Sequence, residues 1–475
     1  MIKDTTLRMT ACELASNIAA GQVSAMEAVD ACLDRLNETE SHLNAFVHVD
    51  EAGARKAARI AQKAVVDGED LGPLHGVPVS IKDLIDVKGM PARYGSRTLQ
   101  NSIAEADAPA VSRLRQAGAI IIGKTSTSEF GYRGYTKSLI HGNTHNPWNV
   151  ELTPGGSSGG AVASVASGVT PIALGTDGGG SIRSPCGFTG LTGIKANFGR
   201  VPVWPASATP TLAHVGPIAR DTQDCNTLLR VIAGADSRDP FSLMPDIKPF
   251  QDEKTLDKLR VAYSPSLGYA QVDRPVCDQI GKAVAKLNDV FPCIEQVENV
   301  CADPAEILAA EFIGGCNARL GDLVETSPDM IDPPLLDAIR HFRSEISSDK
   351  YTRLQHFRMQ HRETLRIFFE KFDVLLTPTT PCLAWDINRG LAPGFETATV
   401  WSYFTYPFNL SGQPAATLPC GFSDNGLPVG LQIVVPLVRE DLLCAVMKRC
   451  EAALGKSPVP IDPTDANGHS LLMTQ

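Results

Sequence analysis

The chain has 475 residues, 43% of them hydrophobic, with 40 glycines, 33 prolines and a formal net charge of -10. That length buries one large core or two ordinary ones, and the glycine and proline excess signals many tight turns or close backbone approaches, as in an α/β enzyme. The acidic balance excludes a protein that neutralises nucleic-acid phosphates unaided, and no segment offers the roughly 20 apolar residues of a membrane helix.

The first thirty residues contain charged and polar residues throughout and so lack the apolar stretch of a secretory leader. The twelve cysteines, scattered from Cys12 to Cys450 without a CxxC pair, read as reduced thiols, so the cytoplasm is the simplest compartment. Two capping boxes, Thr10 with Glu13 and Ser24 with Glu27, open N-terminal helices over residues 1–70. At 76–87 the run GVPVSIKDLIDV alternates apolar and polar residues, which predicts a strand carrying Lys82 on the face opposite its apolar neighbours. A helix is expected around 108–117, followed by the buried strand AIIIG ending at Gly123. This succession indicates a large mixed sheet flanked by helices on both faces, so the fold class is α/β.

Between Thr153 and Lys195 glycine and serine dominate, yet a small-residue helix at 161–166 and a short strand at 171–174 interrupt them. Such apolar punctuation marks a packed core and not a linker. From 224 to 372 the pattern is helical and peripheral, with a charged amphipathic stretch at 346–371 before the strand DVLLTPTTP. Residues 373–457 return to the sheet, and the polar tail 458–475 is expected to fray. One domain, 1–475, accommodates all of these.

The glycine-rich core carries the chemistry. Nucleophilic attack on an unreactive carbonyl takes an activated nucleophile, an oxyanion hole and a proton donor. In GTDGGGSIRSP, Gly178, Gly179 and Gly180 precede Ser181, and three residues without side chains let backbone N–H groups converge on a carbonyl oxygen beside a hydroxyl. Read alone, this segment fits an ordinary glycine turn equally well, and Lys82 fits a solvated strand-edge lysine. Asp177 and Arg183 flank the turn and are spaced to pair across it; a surface salt bridge is the competing reading.

Other motifs fail on their context. Gly118–Thr125, GAIIIGKT, satisfies a phosphate-loop pattern, but Ala-Ile-Ile-Ile is a buried strand where a phosphate cradle needs an open loop. Gly155–Gly159 satisfies the nucleophile-elbow pattern, yet the preceding NPWNVELTP is not the apolar strand an elbow needs. His75 and His214 fall in segments explained by packing, and His469 lies in the tail. His141 and His145 share a glycine- and proline-bearing loop, where a helical metal pair cannot form. No metal site and no cofactor are expected.

With Lys82 in VSIKDLIDV, Gly155–Gly160 as GGSSGG and Gly179–Arg183 as GGSIR, the chain resembles the amidase signature family. KTSTSEFGY at 124–132, HVGPIARD ending at Asp221 and SGQPAATLPCGF at 411–422 extend the likeness, which is close over 75–220. The resemblance implies Ser181 as nucleophile, Ser157 as bridging hydroxyl after a cis Gly156–Ser157 peptide, and Lys82 as a base that burial must keep uncharged. It implies an oxyanion hole from Gly178, Gly179, Gly180 and Ser181, with Ser158, Thr176, Asp177 and Arg183 in support. Family pockets point to Thr127, Tyr132, Trp204, Tyr406 and Phe408 as substrate contacts, although each fits a core position equally. The implied reaction is hydrolysis of a small linear amide, ester or carbamate by a monomer or homodimer that uses neither nucleic acid nor membrane. One branch of the family serves instead as the glutaminase subunit of tRNA-dependent amidotransferases. Its tyrosine- and arginine-rich segment is missing from SDKYTRLQHFRMQHRETL, which favours a stand-alone amidase.

Overall fold

Every second residue of the central strands is apolar, and that period organises the molecule. In the computed structural model, which describes residues 2–243, 247, 253–392, 394, 402–456, 458–459 and 462–472, the strands run in chain order as follows. They are β1 Phe46–Val49, β2 Pro78–Lys82, β3 Ile120–Thr125, β4 Lys137–Ser138, β5 Gly142–Asn143, β6 Ile172–Asp177 and β7 Thr192–Lys195. There follow β8 His214–Ala219, β9 Val261–Tyr263, β10 Ile294–Gln296, β11 Val374–Pro378, β12 Ala415–Phe422 and β13 Pro428–Val434. Eleven of them form one sheet in the order β1-β3-β2-β6-β8-β7-β12-β13-β11-β9-β10, while β4 and β5 make a separate ribbon. The β3-β2-β6 centre is parallel and the β6-β8-β7-β12-β13-β11 run antiparallel.

Val79 and Ile81 of β2, Ile172 and Leu174 of β6, Leu376 of β11 and Leu431 and Ile433 of β13 share one core. That core also takes Leu114, Leu228, Ile280 and Leu443, from helices Pro109–Gln116, Thr222–Ile232, Arg274–Leu287 and Glu440–Leu454. The residues in opposite phase pack on the other face: Ala173 and Ile218 against helix Gly159–Ala166, and Leu375 and Val434 against Leu365 and Phe369 of helix Ser348–Lys371. Each fully buried Leu, Ile or Val contributes about 1.5–3 kcal/mol, so the alternation locks strand register and both helical layers together.

Both capping boxes form: Glu13 N donates to Thr10 Oγ1 at 3.2 Å with the return bond at 2.9 Å, and Glu27 N donates to Ser24 Oγ at 3.0 Å with its return at 2.8 Å. The strand expected over 76–87 is shorter, because the chain turns at Lys82, whose carbonyl accepts from Ile85 N at 3.0 Å. The GAIIIGKT stretch lies largely in the buried strand β3. Within 224–372, besides the helices, the short strands β9 and β10 extend the sheet edge; three residues are too few to show a period of two. The tail returns to the body through Asp462, 2.6 Å from Arg35, and Thr464 O, which accepts from Val150 N at 3.0 Å; positions 460–461 and 473–475 of the expected fraying segment lie outside the described residues. All twelve cysteines are free. No helix among the described residues is long and apolar enough to cross a membrane.

Candidate active site

β2 and β6 run parallel in register, with Ile81 opposite Leu174, so their carboxyl ends open on the same side of the sheet. In α/β sheets that is where ligands bind. Lys82 ends β2 with no exposure, on the face opposite Val79 and Ile81. Its Nζ lies 2.8 Å from Ser157 Oγ, 2.9 Å from Ser158 Oγ and 2.8 Å from Thr176 Oγ1. No carboxylate among the described residues pairs with it. Burial pushes its pKa well below the ordinary lysine value, with Asp177 pulling the other way.

The two serines come from the loop leading into helix Gly159–Ala166, after a cis Gly156–Ser157 peptide. Gly156 has to be glycine, since a Cβ there would meet the Tyr135 backbone at 2.6 Å. Ser158 donates to Thr176 O at 3.1 Å and accepts from Thr176 N at 3.3 Å, which fastens the loop to β6.

Ser181 follows the glycine turn that joins β6 to helix Arg183–Thr189 and is 5% exposed. Gly180 has φ +133°, and a Cβ there would strike Thr405 Oγ1 at 2.2 Å. The pair flanking the turn is fully buried, not a surface salt bridge. Arg183 spends all five N–H donors: two on Asp177 at 3.0 Å, one on Thr405 O at 2.9 Å, one on Gln432 Oε1 at 2.8 Å and one on Asn409 Oδ1 at 2.6 Å. Burial alone would raise the Asp177 carboxyl, but Arg183 and Asn409 outweigh it and hold the carboxylate well below its usual range. Asp177 Oδ1 also accepts from Gly180 N at 2.7 Å. That amide is therefore engaged, which leaves Gly178, Gly179 and Ser181 as the amides of the turn without a hydrogen-bond partner among the described residues.

Ser157, Ser181, Thr176 and Gly178 line one cavity. The Amidase family model matches residues 27–444 of the chain. The chain belongs to the amidase signature family. It is 36% identical to the A-type subunit of a glutamyl-tRNA(Gln) amidotransferase from Acidothermus cellulolyticus, over 94% of this chain and 94% of that one. It is 34% identical to an acylamidase of Rhodococcus erythropolis, over 94% and 95% of the two chains. The crystal structure of a bacterial aryl acylamidase of the same family superposes with a TM-score of 0.86 at 28% identity, over 94% of this chain and 96% of that one. This amidase is accordingly a hydrolase of amide carbon–nitrogen bonds on the family's mixed-sheet fold.

The amidase's cavity walls differ from the set expected, Thr127, Tyr132, Trp204, Tyr406 and Phe408. Tyr406 is fully buried, with its hydroxyl on Asp303 Oδ1 at 2.6 Å, and Phe408 packs in the core with Leu365 and Phe369. Thr127 turns its hydroxyl to Ser128 O at 3.1 Å. Trp204 faces the Arg238 guanidinium, 4.9 Å from its ring centroid, while its neighbours Val203 and Pro205 line the cavity. Tyr132 stands behind the wall, its ring 6.4 Å from that of Phe312. The walls come instead from Tyr94, Phe130, Phe312, Arg319, His214, Val203 and the segment 205–209. Phe130 lies inside the SEFG motif, one turn before the segment expected to supply contacts; nothing in the pattern around Tyr94 or Arg319 marks them. No cluster of metal-ligating side chains occurs among the described residues.

Proposed function

We propose that this amidase cleaves small linear amides through an acyl-enzyme formed on Ser181, with Ser157 as proton relay and Lys82 as base. The observation that carries the reading is the setting of Lys82, a buried amine ringed by three hydroxyls and no carboxylate. In its neutral form the amine has two N–H bonds and one lone pair. Ser158, whose own hydrogen goes to Thr176 O, and Thr176 Oγ1 take the two N–H bonds, so the lone pair is left for the Ser157 hydroxyl. Ser157 then accepts the Ser181 proton as Ser181 Oγ attacks the carbonyl carbon. The protonated amine finds an acceptor in each of the same three hydroxyls, so the site stabilises the ammonium while the tetrahedral intermediate lasts. Gly178, Gly179 and Ser181 amides face the developing oxyanion. Return of the proton through Ser157 to the leaving nitrogen breaks the carbon–nitrogen bond, and water resolves the ester by the same route. Esters and carbamates, with better leaving groups, follow the same path.

Similarity to glutamyl-tRNA(Gln) amidotransferase subunits favours a second reading, a glutaminase that hands ammonia to a partner chain. Helix Ser348–Lys371 bears against it: Arg358 is bound to Glu311 at 2.6 Å and to Thr211 O at 3.0 Å, and so is not offered to a ligand. Purified chain supplied with an aryl acetamide and, separately, glutamine separates the two, since only the first reading expects partner-free arylamine release. A fluorophosphonate should label the wild-type chain and leave Ser181→Ala unlabelled. Labelling that survives in Ser181→Ala and disappears in Ser157→Ala would move the nucleophile to the other serine.

A further inference from the structure

Among the described residues, the cavity holding Ser157 and Ser181 has one permanently charged side chain on its wall, Arg319. It lies at the exposed end of helix Ala305–Leu320, whereas both serines are buried, so the cation sits at the mouth. The remaining polar lining is made of hydroxyls and His214, whose pKa burial and Lys195 push well below the ordinary histidine value. No carboxylate lines the space.

Arg319 Cζ is 5.4 Å from the Tyr94 ring centroid and 6.0 Å from that of Phe130, and both rings line the cavity too. Ring faces hold a guanidinium without consuming its N–H donors. The acids near these rings are engaged elsewhere. Asp86 accepts the Tyr94 hydroxyl at 2.7 Å, Glu129 accepts from Ser96 Oγ at 2.5 Å and Asp332 N at 2.7 Å, and Asp332 pairs with Arg133 at 2.5 Å. Arg319 itself makes no ion pair or hydrogen bond among the described residues. A planar cation held by aromatic faces, with its donors unspent and an uncharged chamber behind it, is complementary to a carboxylate, which takes two parallel N–H bonds from one guanidinium.

We propose that Arg319 is an anion subsite at the cavity mouth that takes the free carboxylate of an amide substrate whose scissile carbonyl lies at Ser181. The proposal rests on the amidase reading of the serines and narrows it to amides that carry a carboxylate, such as monoamides of dicarboxylic acids or N-acyl amino acids. A purely structural arginine, clamping Tyr94 and Phe130, would show no such preference.

The test compares 4-nitrosuccinanilic acid with its methyl ester, measuring nitroaniline release by wild type, Arg319→Gln and Arg319→Lys. Wild type should favour the acid by about tenfold in kcat/KM, chiefly through KM, and less at high salt. Arg319→Gln should bring the acid-to-ester ratio to about one, and Arg319→Lys should keep part of the preference. Calorimetric titration of Ser181→Ala with both compounds reads binding alone, and the acid should bind about tenfold more tightly unless Arg319→Gln is added. An acid-to-ester ratio near one in wild type, or one that Arg319→Gln leaves unchanged, overturns the subsite even if both anilides are hydrolysed. Arg319-dependent binding of the acid without any hydrolysis would leave the subsite standing and sink the amidase reading.

Discussion

Two lysines with no exposure lie one position apart in the register of neighbouring strands, Lys82 on β2 and Lys124 on β3, and their surroundings are opposite in kind. Lys124 Nζ meets the Asp83 carboxylate at 2.9 Å and Pro91 O at 2.9 Å. Lys82 meets three hydroxyls. Burial penalises a charged amine in either place, but only a carboxylate offers compensation of the same size. The ion pair is therefore part of the architecture, while burial drives the hydroxyl-ringed amine toward the neutral form, in which it can take a proton from elsewhere. Position on a buried strand thus says little about a lysine's role; the partner within three ångströms decides it.

Removing the amine of Lys82 is the sharpest way to break this contrast. Lys82→Met should lower kcat by about 10³-fold while KM moves far less, because the base acts on the proton and not on substrate binding. Burial pushes the Lys82 pKa down, and the neutral form is the active one, so wild-type kcat should climb with pH through the lowered value and then level. Between that lowered value and about 10.4, the ordinary lysine value, the unfolded chain holds one more proton than the folded chain at this site. This group's contribution to stability therefore grows as pH rises through that window, and it should vanish in Lys82→Met. A wild-type rate profile flat from acid to alkaline pH would contradict the role given to the amine.

The ion-paired lysine should behave in the reverse manner. Lys124→Met leaves Asp83 buried without its cation, which costs about 3–5 kcal/mol of stability and should show as a lower urea midpoint. Burial already pushes the Asp83 carboxyl up against the pull of Lys124. In the double variant Lys124→Met/Asp83→Asn no charge is stranded, so most of the lost stability should return. Folded Lys124→Met should keep kcat within about threefold of wild type, since no step passes through it. A loss of turnover on the Lys82 scale would erase the distinction between the two amines.

How far the sequence shows this contrast depends on scale. The alternation in VSIKDL places Lys82 opposite Val79 and Ile81, and GGSSGG and GGGSIR mark the two serine-bearing loops of the site, because the close Tyr135 backbone at Gly156 and the positive φ at Gly180 restrict residue type there. The sequence likewise shows helices on both faces and four strands of the sheet, β2, β3, β6 and β11. It does not report the Asp83 partner of Lys124, which depends on how the chain turns after β2. Nor does it report the cavity wall. Tyr94 and Arg319 are over two hundred residues apart in sequence and meet through tertiary packing, while Tyr406 and Phe408, aromatic and near a recognisable motif, are drawn into the core. Chemistry fixed by backbone geometry leaves a local trace; chemistry fixed by packing does not.

A third buried lysine refines the comparison with a smaller effect. Lys195 Nζ reaches Gln413 O at 2.5 Å, Ala196 O at 3.2 Å and His214 Nε2 at 3.4 Å, so it has neither a carboxylate nor a hydroxyl relay. His214 Nδ1 faces two carbonyl oxygens, Leu212 O at 2.7 Å and Asp177 O at 3.1 Å, so the ring hydrogen belongs on Nδ1 and Nε2 is the acceptor for Lys195. Asn409 Nδ2 donates to the same Asp177 oxygen at 3.0 Å. That carbonyl shares its peptide plane with Gly178 N–H, which points the opposite way. Pinning the oxygen from behind therefore aims the Gly178 amide and polarises it as a donor, so that in the proposed mechanism His214 is a positioning residue for the oxyanion. His214→Phe keeps a ring but loses the donor, and kcat should fall by about tenfold with little change in KM. His214→Asn, whose amide nitrogen occupies the Nδ1 position, should recover most of that loss. Equal damage from the two substitutions would reduce His214 to packing and leave Gly178 to be aimed by Asn409 alone.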